Sequence, residues 1–339
     1  MRPNPTPRKD RQHTSNLSTR RGLLLAGTAA ALLTAAPAWA QKPWPAKPVR
    51  LVVAYPAGGL ADVMARVLQP YLIDALGQPV IIDNRGGAAG NIAGAEVARN
   101  GDDHSFLVTT TTTVSVNPVM FAKMPFDAAR DLQPVGLLAN TQLFLITRPT
   151  LAPNTLRELV AYMKANPGKL SYGSAGTGTT PHLGGELFKQ SAEVFATHIP
   201  YRGAAPAIQD VMAGQIDYAL APGTVFPTVD AGKLKLLAVA SRERTANRPD
   251  APTFAEQGVH NVFADTLFGV WAPKAMPQES VARFNQALNH ALAQPAVRKR
   301  FGELGADAVP MSPSQFQAAV QQETVLFTGI VKARGITAE

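Results

Sequence analysis

Two glycine-rich turns carry residue types suited to holding a small anion: Tyr55-Pro56-Ala57-Gly58-Gly59 and Ser174-Ala175-Gly176-Thr177-Gly178-Thr179. Each lies between a short apolar run and a stretch of helical spacing, so each is expected at a strand-to-helix junction. In open α/β sheets ligands bind outside the carboxyl ends of the strands, where such turns stand. Glycine lets the backbone come close to a ligand, and unpaired amides at a helix start favour negative charge by roughly 0.3 to 1 kcal/mol in exposed settings. Ser174, Thr177, Thr179 and Thr180 add hydroxyl donors. Both turns can therefore grip a carboxylate without a charged side chain. Helix capping and loop closure are the plainer use of such residues, but two turns, one in each half of the chain, favour a cleft.

The run Thr109 to Thr113 closes a predicted strand, where β-branched threonine is at home. Its last members, Thr111 to Thr113, are candidates for the same cleft, Thr111 and Thr112 foremost. Other chemistries find less support. His182 and His198 are isolated from any metal-spaced partner and no cysteine is present, so both read as core or helix-start residues and no metal is expected. Gly173-Ser174-Ala175-Gly176 lacks the spacing of a nucleophile elbow. The same loop lacks the Lys-Ser/Thr ending of a phosphate-binding loop and departs from the dinucleotide fingerprint, so no cofactor is expected. Asp62, Asp83 and Asp217 read as helix-start or capping acids.

The elements that must position these turns alternate. Val49 to Val53, Val80 to Ile82 and Phe106 to Thr110 read as strands, with helices from Ala61 to Leu76 and Asn91 to Arg99 between them. Val135 to Thr147 is apolar and strand-like and carries the chain onward. A second series follows: a helix from Thr155 to Ala165, strands near Leu170 to Tyr172, Thr197 to Ile199, Tyr218 to Leu220 and Leu236 to Ala240, and a helix from Ala204 to Met212. Phe268 to Ala272 reads as a returning strand, and helices from Glu279 to Ala293, Pro295 to Leu304 and Ser312 to Ala333 finish the chain. This alternation predicts α/β architecture with mostly parallel sheets flanked by helices.

The amino terminus reads as an address. A basic stretch to Arg21, an apolar run from Gly22 to Ala36 and the small-residue exit Ala38-Trp39-Ala40 have the order of a cleaved signal peptide, with Gln41 as first mature residue. The run is short of the roughly 20 apolar residues a spanning helix needs. Arg20-Arg21 resembles a twin-arginine signal, so either that route or ordinary secretion is expected, with a periplasmic destination. The chain carries a net charge of +8, but residues 1–40 hold six Lys or Arg and one Asp, leaving about +3 for the rest. So small an excess gives no case for nucleic acid. Without cysteine, stability must come from packing, and about 300 mature residues suffice for two lobes.

The chain resembles the Bug family, the solute receptors of tripartite tricarboxylate transporters, from about Trp44 to Ile336. The resemblance is most specific in Ala165-Asn166-Pro167-Gly168-Lys169-Leu170-Ser171-Tyr172-Gly173-Ser174-Ala175-Gly176-Thr177-Gly178-Thr179. It continues in His198-Ile199-Pro200-Tyr201-Arg202-Gly203-Ala204-Ala205-Pro206, Gly214-Gln215-Ile216-Asp217 and Pro249-Asp250-Ala251-Pro252-Thr253. The sequence departs from the usual pattern at Leu60-Ala61, where Pro-Thr is commoner, and at Leu267, where tryptophan is common.

The resemblance implies a two-lobed periplasmic-binding-protein fold, type II like, with residues 41–141 plus 265–339 in lobe 1, residues 142–264 in lobe 2 and the ligand cleft between them. It implies that Tyr55 to Gly59 and Ser174 to Thr179 are opposing grips on a small carboxylate, with Tyr201 and Arg202 beside them. The expected role is that of a monomeric receptor, not an enzyme, handing its solute to membrane subunits of a tripartite tricarboxylate-type transporter. Two other readings are a ligand sensor for a membrane signalling kinase and an exported hydrolase using the Ser174 loop.

Overall fold

Most of the hydrophobic runs become strands buried on both faces. In the computed structural model, which describes residues 44–338 with Met1, Pro3 and Asn4, Val49, Val52 and Val53 of the first strand are wholly inaccessible. The apolar run and cleavage position expected for an export signal lie outside the described residues. Among the described residues no helix is long and apolar enough to cross a membrane.

The first sheet contains β1 (Val49–Val53), β2 (Val80–Asn84), β3 (Ser105–Thr110) and β4 (Leu132–Thr141), and the second β5 (Phe144–Thr147), β6 (Ser171–Ser174), β7 (Thr197–Pro200), β8 (Tyr218–Ala221) and β9 (Lys235–Val239). The chain then returns to the first sheet through β10 (Thr266–Pro273) and β11 (Ala306–Asp307). The orders are β11-β4-β10-β3-β1-β2 and β7-β6-β8-β5-β9.

Parallel pairing is confined to β1 with β2 and β3, and β6 with β7 and β8. The remaining pairs are antiparallel, so both sheets are mixed. Parallel neighbours arise where a helix returns the chain between strands. The antiparallel ones involve strands next to the crossings between sheets: β4 ends at Thr141, β5 begins at Phe144, and β10 brings the chain back. The apolar segment expected over Val135 to Thr147 is thus two strands in two sheets.

The helices include α1 (Leu60–Leu76), α2 (Asn91–Asn100), a short α3 (Thr111–Ser115), α4 (Leu156–Ala165), α5 (Thr180–Ala192), α6 (Ala204–Ala213), α7 (Gln278–Ala293), α8 (Pro295–Glu303) and α9 (Pro313–Arg334). In α1, Leu60, Met64, Leu68, Leu72 and Leu76 fall at four-residue steps and are all buried, each such side chain contributing about 1.5–3 kcal/mol. The helix stops at Gly77, whose φ of 68° is a left-handed cap. Helix α9 opens on a Ser312–Gln315 capping box. Its early residues Phe316 and Val320 pack among Leu107, Leu137 and Trp271, whereas Phe327, Ile330 and Val331 pack among Leu145, Tyr172 and Phe188. It is therefore built into the cores of both sheets.

Candidate ligand-binding cleft

The first turn leaves β1 through Tyr55 and Pro56 and enters α1. The Gly59 amide donates to the Pro56 carbonyl at 3.2 Å, and Gly58, at φ 80°, donates to Asp62 Oδ2 at 2.9 Å. Burial raises the Asp62 pKa, but hydrogen bonds from Arg66 and the Gly58 amide outweigh it and hold the carboxyl below its usual range. Asp62 is thus the capping acid expected of it, its charge matched by Arg66 at 2.9 Å. The first amide of α1 with a backbone acceptor is that of Val63, so the amides before it stand open at the helix start.

The second turn leaves β6 at Ser174. Ser174 Oγ accepts from the Gly176 amide at 3.1 Å and lies 2.7 Å from His198 Nε2. Thr179 Oγ1 donates to the Gly176 carbonyl at 2.7 Å, and Gly178 donates to His182 Nδ1 at 3.0 Å. Gly176 and Gly178 have φ of 130° and 82°, a region open to glycine. The two histidine rings stack at 3.9 Å. Burial depresses their pKa values, to about 4 for His182 and about 3 for His198, so both are neutral near pH 7. His182 is a buried helix-start histidine, as expected, His198 is half-buried on β7, and both brace the loop.

A third helix start completes the site. The Tyr201 amide donates to the Ser174 carbonyl at 3.1 Å, binding β7's exit to the glycine loop, and Tyr201 Oη donates to Asp210 at 2.5 Å. Burial first, then that acceptor, pushes the phenol up to about 12. Gly203, at φ 125°, precedes α6, and a methyl group placed on it would lie 3.7 Å from the Pro56 ring. The turns of the two sheets therefore face one another across a gap that a single methyl group would close.

Between them lies a cavity of about 280 Å³ lined by Tyr55 to Ala61, Thr179 to Pro181 and Arg202 to Pro206. The starts of α1, α5 and α6 all open onto it, and among the described lining residues Arg202 alone is charged. Thr180 and Thr266 line it too, and their buried hydroxyls have no partner among the described residues. Helix starts and a guanidinium without a facing carboxylate make a site for an anion.

Of the residues singled out in the sequence, Tyr55, Pro56, Ala57, Gly58, Gly59, Ala175, Thr179 and Arg202 line this cavity. Gly176, Thr177 and Tyr201 line an adjoining one that shares Pro56 and Arg202. Thr111, Thr112, Ser174 and Gly178 line neither. Thr111 opens α3 and points to the Leu267 carbonyl at 3.5 Å, and Thr112 bonds Thr110 Oγ1 at 2.9 Å. It is Thr110 that reaches the cavity, its hydroxyl 2.8 Å from Tyr55 Oη. Gly178 backs onto Met120. The start of α6 was legible as Gly203-Ala204-Ala205-Pro206, a glycine before a helix with proline in its first turn.

Ser174 is 1% exposed and lines neither cavity. Its contact with His198 supports the loop, and no carboxylate hydrogen-bonds to His198 among the described residues, so the third member of a catalytic triad is missing. Ser174→Ala leaves the Gly176 amide without its acceptor. The expected result is a loss of about 1–3 kcal/mol in urea unfolding, with ligand affinity reduced several-fold; an unchanged unfolding midpoint would refute the bracing role.

Helix-flanked mixed sheets whose strand-end turns face one another across such a cavity define a periplasmic solute-binding protein. The chain belongs to the tripartite tricarboxylate transporter family of receptors: the family model TctC, "Tripartite tricarboxylate transporter family receptor", matches residues 64–336. Its role is that of a binding receptor and not of an enzyme. Protein BugT of Bordetella pertussis is 34% identical over 296 residues, covering 86% of this chain and 90% of that protein. The structure of R. palustris Rpa4515 with adipate superposes with a TM-score of 0.83 at 32% identity, covering 87% of this chain and 99% of that one. MatC from Rhodopseudomonas palustris with bound malate gives 0.80 at 30% identity, covering 85% and 100%.

Proposed function

We propose that this protein captures a small carboxylate in the cavity between its two sheets and delivers it to the membrane subunits of a tripartite tricarboxylate-type transporter. The observation that carries the reading is the meeting of three helix starts and Arg202 in a cavity that, among the described residues, no acidic side chain lines. The carboxylate-bound relatives and the family's transporter association support it. Residues 41–141 with 265–339 act as one lobe and 142–264 as the other, and the differential contacts made by the solute favour the closed arrangement. Residues 1–40 export the chain to the periplasm and are removed.

A thermal-shift screen of the purified protein against mono-, di- and tricarboxylates tests the reading. A carboxylate at one hundred times its dissociation constant adds about 2.7 kcal/mol of stability. Arg202→Ala weakens that ligand tenfold or more, as loss of a charge-assisted hydrogen bond of about 1.5–3 kcal/mol requires. No stabilisation by any carboxylate, or an unchanged affinity in the arginine variant, would sink the proposal.

A further inference from the structure

The cavity is not uniform along its length. Helix α6 presents Ala204, Ala205, Ile208, Gln209 and Met212 to it, a single face two turns long that spans about 12 Å at the rise of an α-helix. The open amides of α6 and Arg202 therefore stand at one end of this face, and Ile208 and Met212, one turn apart, line its further part. Leu143 at the crossing between sheets and Phe268 of β10 add buried apolar surface to the same cavity, and Phe268 is held edge-on to Tyr55 at 6.3 Å.

We infer that the site is built for a monocarboxylate with an apolar body, such as a short alkanoate or a simple aromatic acid, rather than for a dicarboxylate; this rests on the carboxylate reading above. The acid group sits on the amides at the start of α6 beside Arg202. The orphaned Thr180 hydroxyl, at the first residue of α5, is a further donor for the acid group. The body lies along Ile208 and Met212. A second carboxylate two turns away would leave water for a stretch of α6 distant from that helix's open amides, where the side chains offered by α6 and the segment after β8, Gln209, Thr224 and Thr228, carry no positive charge. Ile208 and Met212 are therefore specificity-determining residues.

Titration calorimetry of the purified protein with hexanoate, benzoate, adipate and malate tests this. Hexanoate or benzoate should bind at least tenfold more tightly than either diacid. Met212→Lys, at a partly exposed position, should weaken the monocarboxylate at least tenfold and strengthen adipate by a similar factor. If adipate or malate binds the wild-type protein as tightly as the monocarboxylates, the apolar-body assignment falls and the carboxylate reading stands. If none of a wide panel of carboxylates binds, both fall.

Discussion

Replacing Glu186 with leucine lowers the folding stability by about 3–5 kcal/mol, the range for removing one partner of a buried ion pair. Glu186 lies on α5 with 7% of its surface exposed. Its carboxylate accepts from Tyr172 Oη at 2.8 Å, Lys189 Nζ at 2.6 Å and Arg334 at 3.2 Å. Lys189 is itself 8% exposed, so the substitution leaves an ammonium group in the core with no ion-pair partner among the described residues. Burial raises the Glu186 pKa, but the bonds from Lys189 and Tyr172 outweigh it and the net shift is downward. The stability this adds is present above the unfolded-state carboxyl range and is lost as pH falls through the folded value. The double replacement Glu186→Leu with Lys189→Met removes the two buried charges, leaves only the partly exposed Arg334, and should recover most of the loss. Denaturant unfolding of the two variants decides the matter, and a single variant within 1 kcal/mol of wild type would contradict the argument.

Glu323 carries a stability term of the opposite sign. It lies on α9 at 9% exposure, and neither carboxylate oxygen has a partner among the described residues. Burial, with a smaller contribution from Asp265, pushes its pKa well above the usual carboxyl value. The folded protein therefore holds a proton that the unfolded chain releases at lower pH. Stability falls as pH rises between those two values, by about 1.4 kcal/mol for each pH unit at full proton uptake. Asp265, raised to about 6 by burial and then by Asp307, adds to the slope at its acidic end. Glu323→Gln keeps the shape and removes the ionisation, so its advantage over wild type should widen from pH 5 to pH 8. Urea unfolding at pH 5, 6.5 and 8 measures it; parallel profiles would show that Glu323 is not buried as described.

The glycine turns were legible because glycine, proline and flanking apolar runs act locally. The hydrophobic strands and the four-residue spacing in α1 could be read for the same reason. Pairing direction could not, because β10 meets β3 and β4 more than a hundred residues away in the chain, and nothing within Phe268 to Ala272 records which way its neighbours run. The strand read over Phe106 to Thr110 ends where the observed one does, and what the threonine run does beyond it was not legible. β-Branching favours a strand, yet Ser115 Oγ donates to the Thr111 carbonyl and Thr109 meets Thr113, and these side-chain bonds accompany a helical turn after Thr110. The Ser174–His198 contact joins residues 24 apart in the chain, so the role of His198 in bracing the loop waits on the fold.

The placement of α9 in two cores has a consequence for how the molecule comes apart. The sheets share no strand, and taken alone each has the hydrophobic interior of an independent folding unit. Yet the second core keeps Phe327, Ile330 and Val331 only while α9 is held, and α9 is held in part by Phe316 and Val320 in the first. Stripping either end exposes side chains that contribute about 1.5–3 kcal/mol each and weakens the anchorage of the other. The last helix is thus a shared debt between the halves: heat should find one cooperative transition, not two, and the order in which the sheets form during synthesis matters less than the arrival of the carboxyl-terminal helix that locks both.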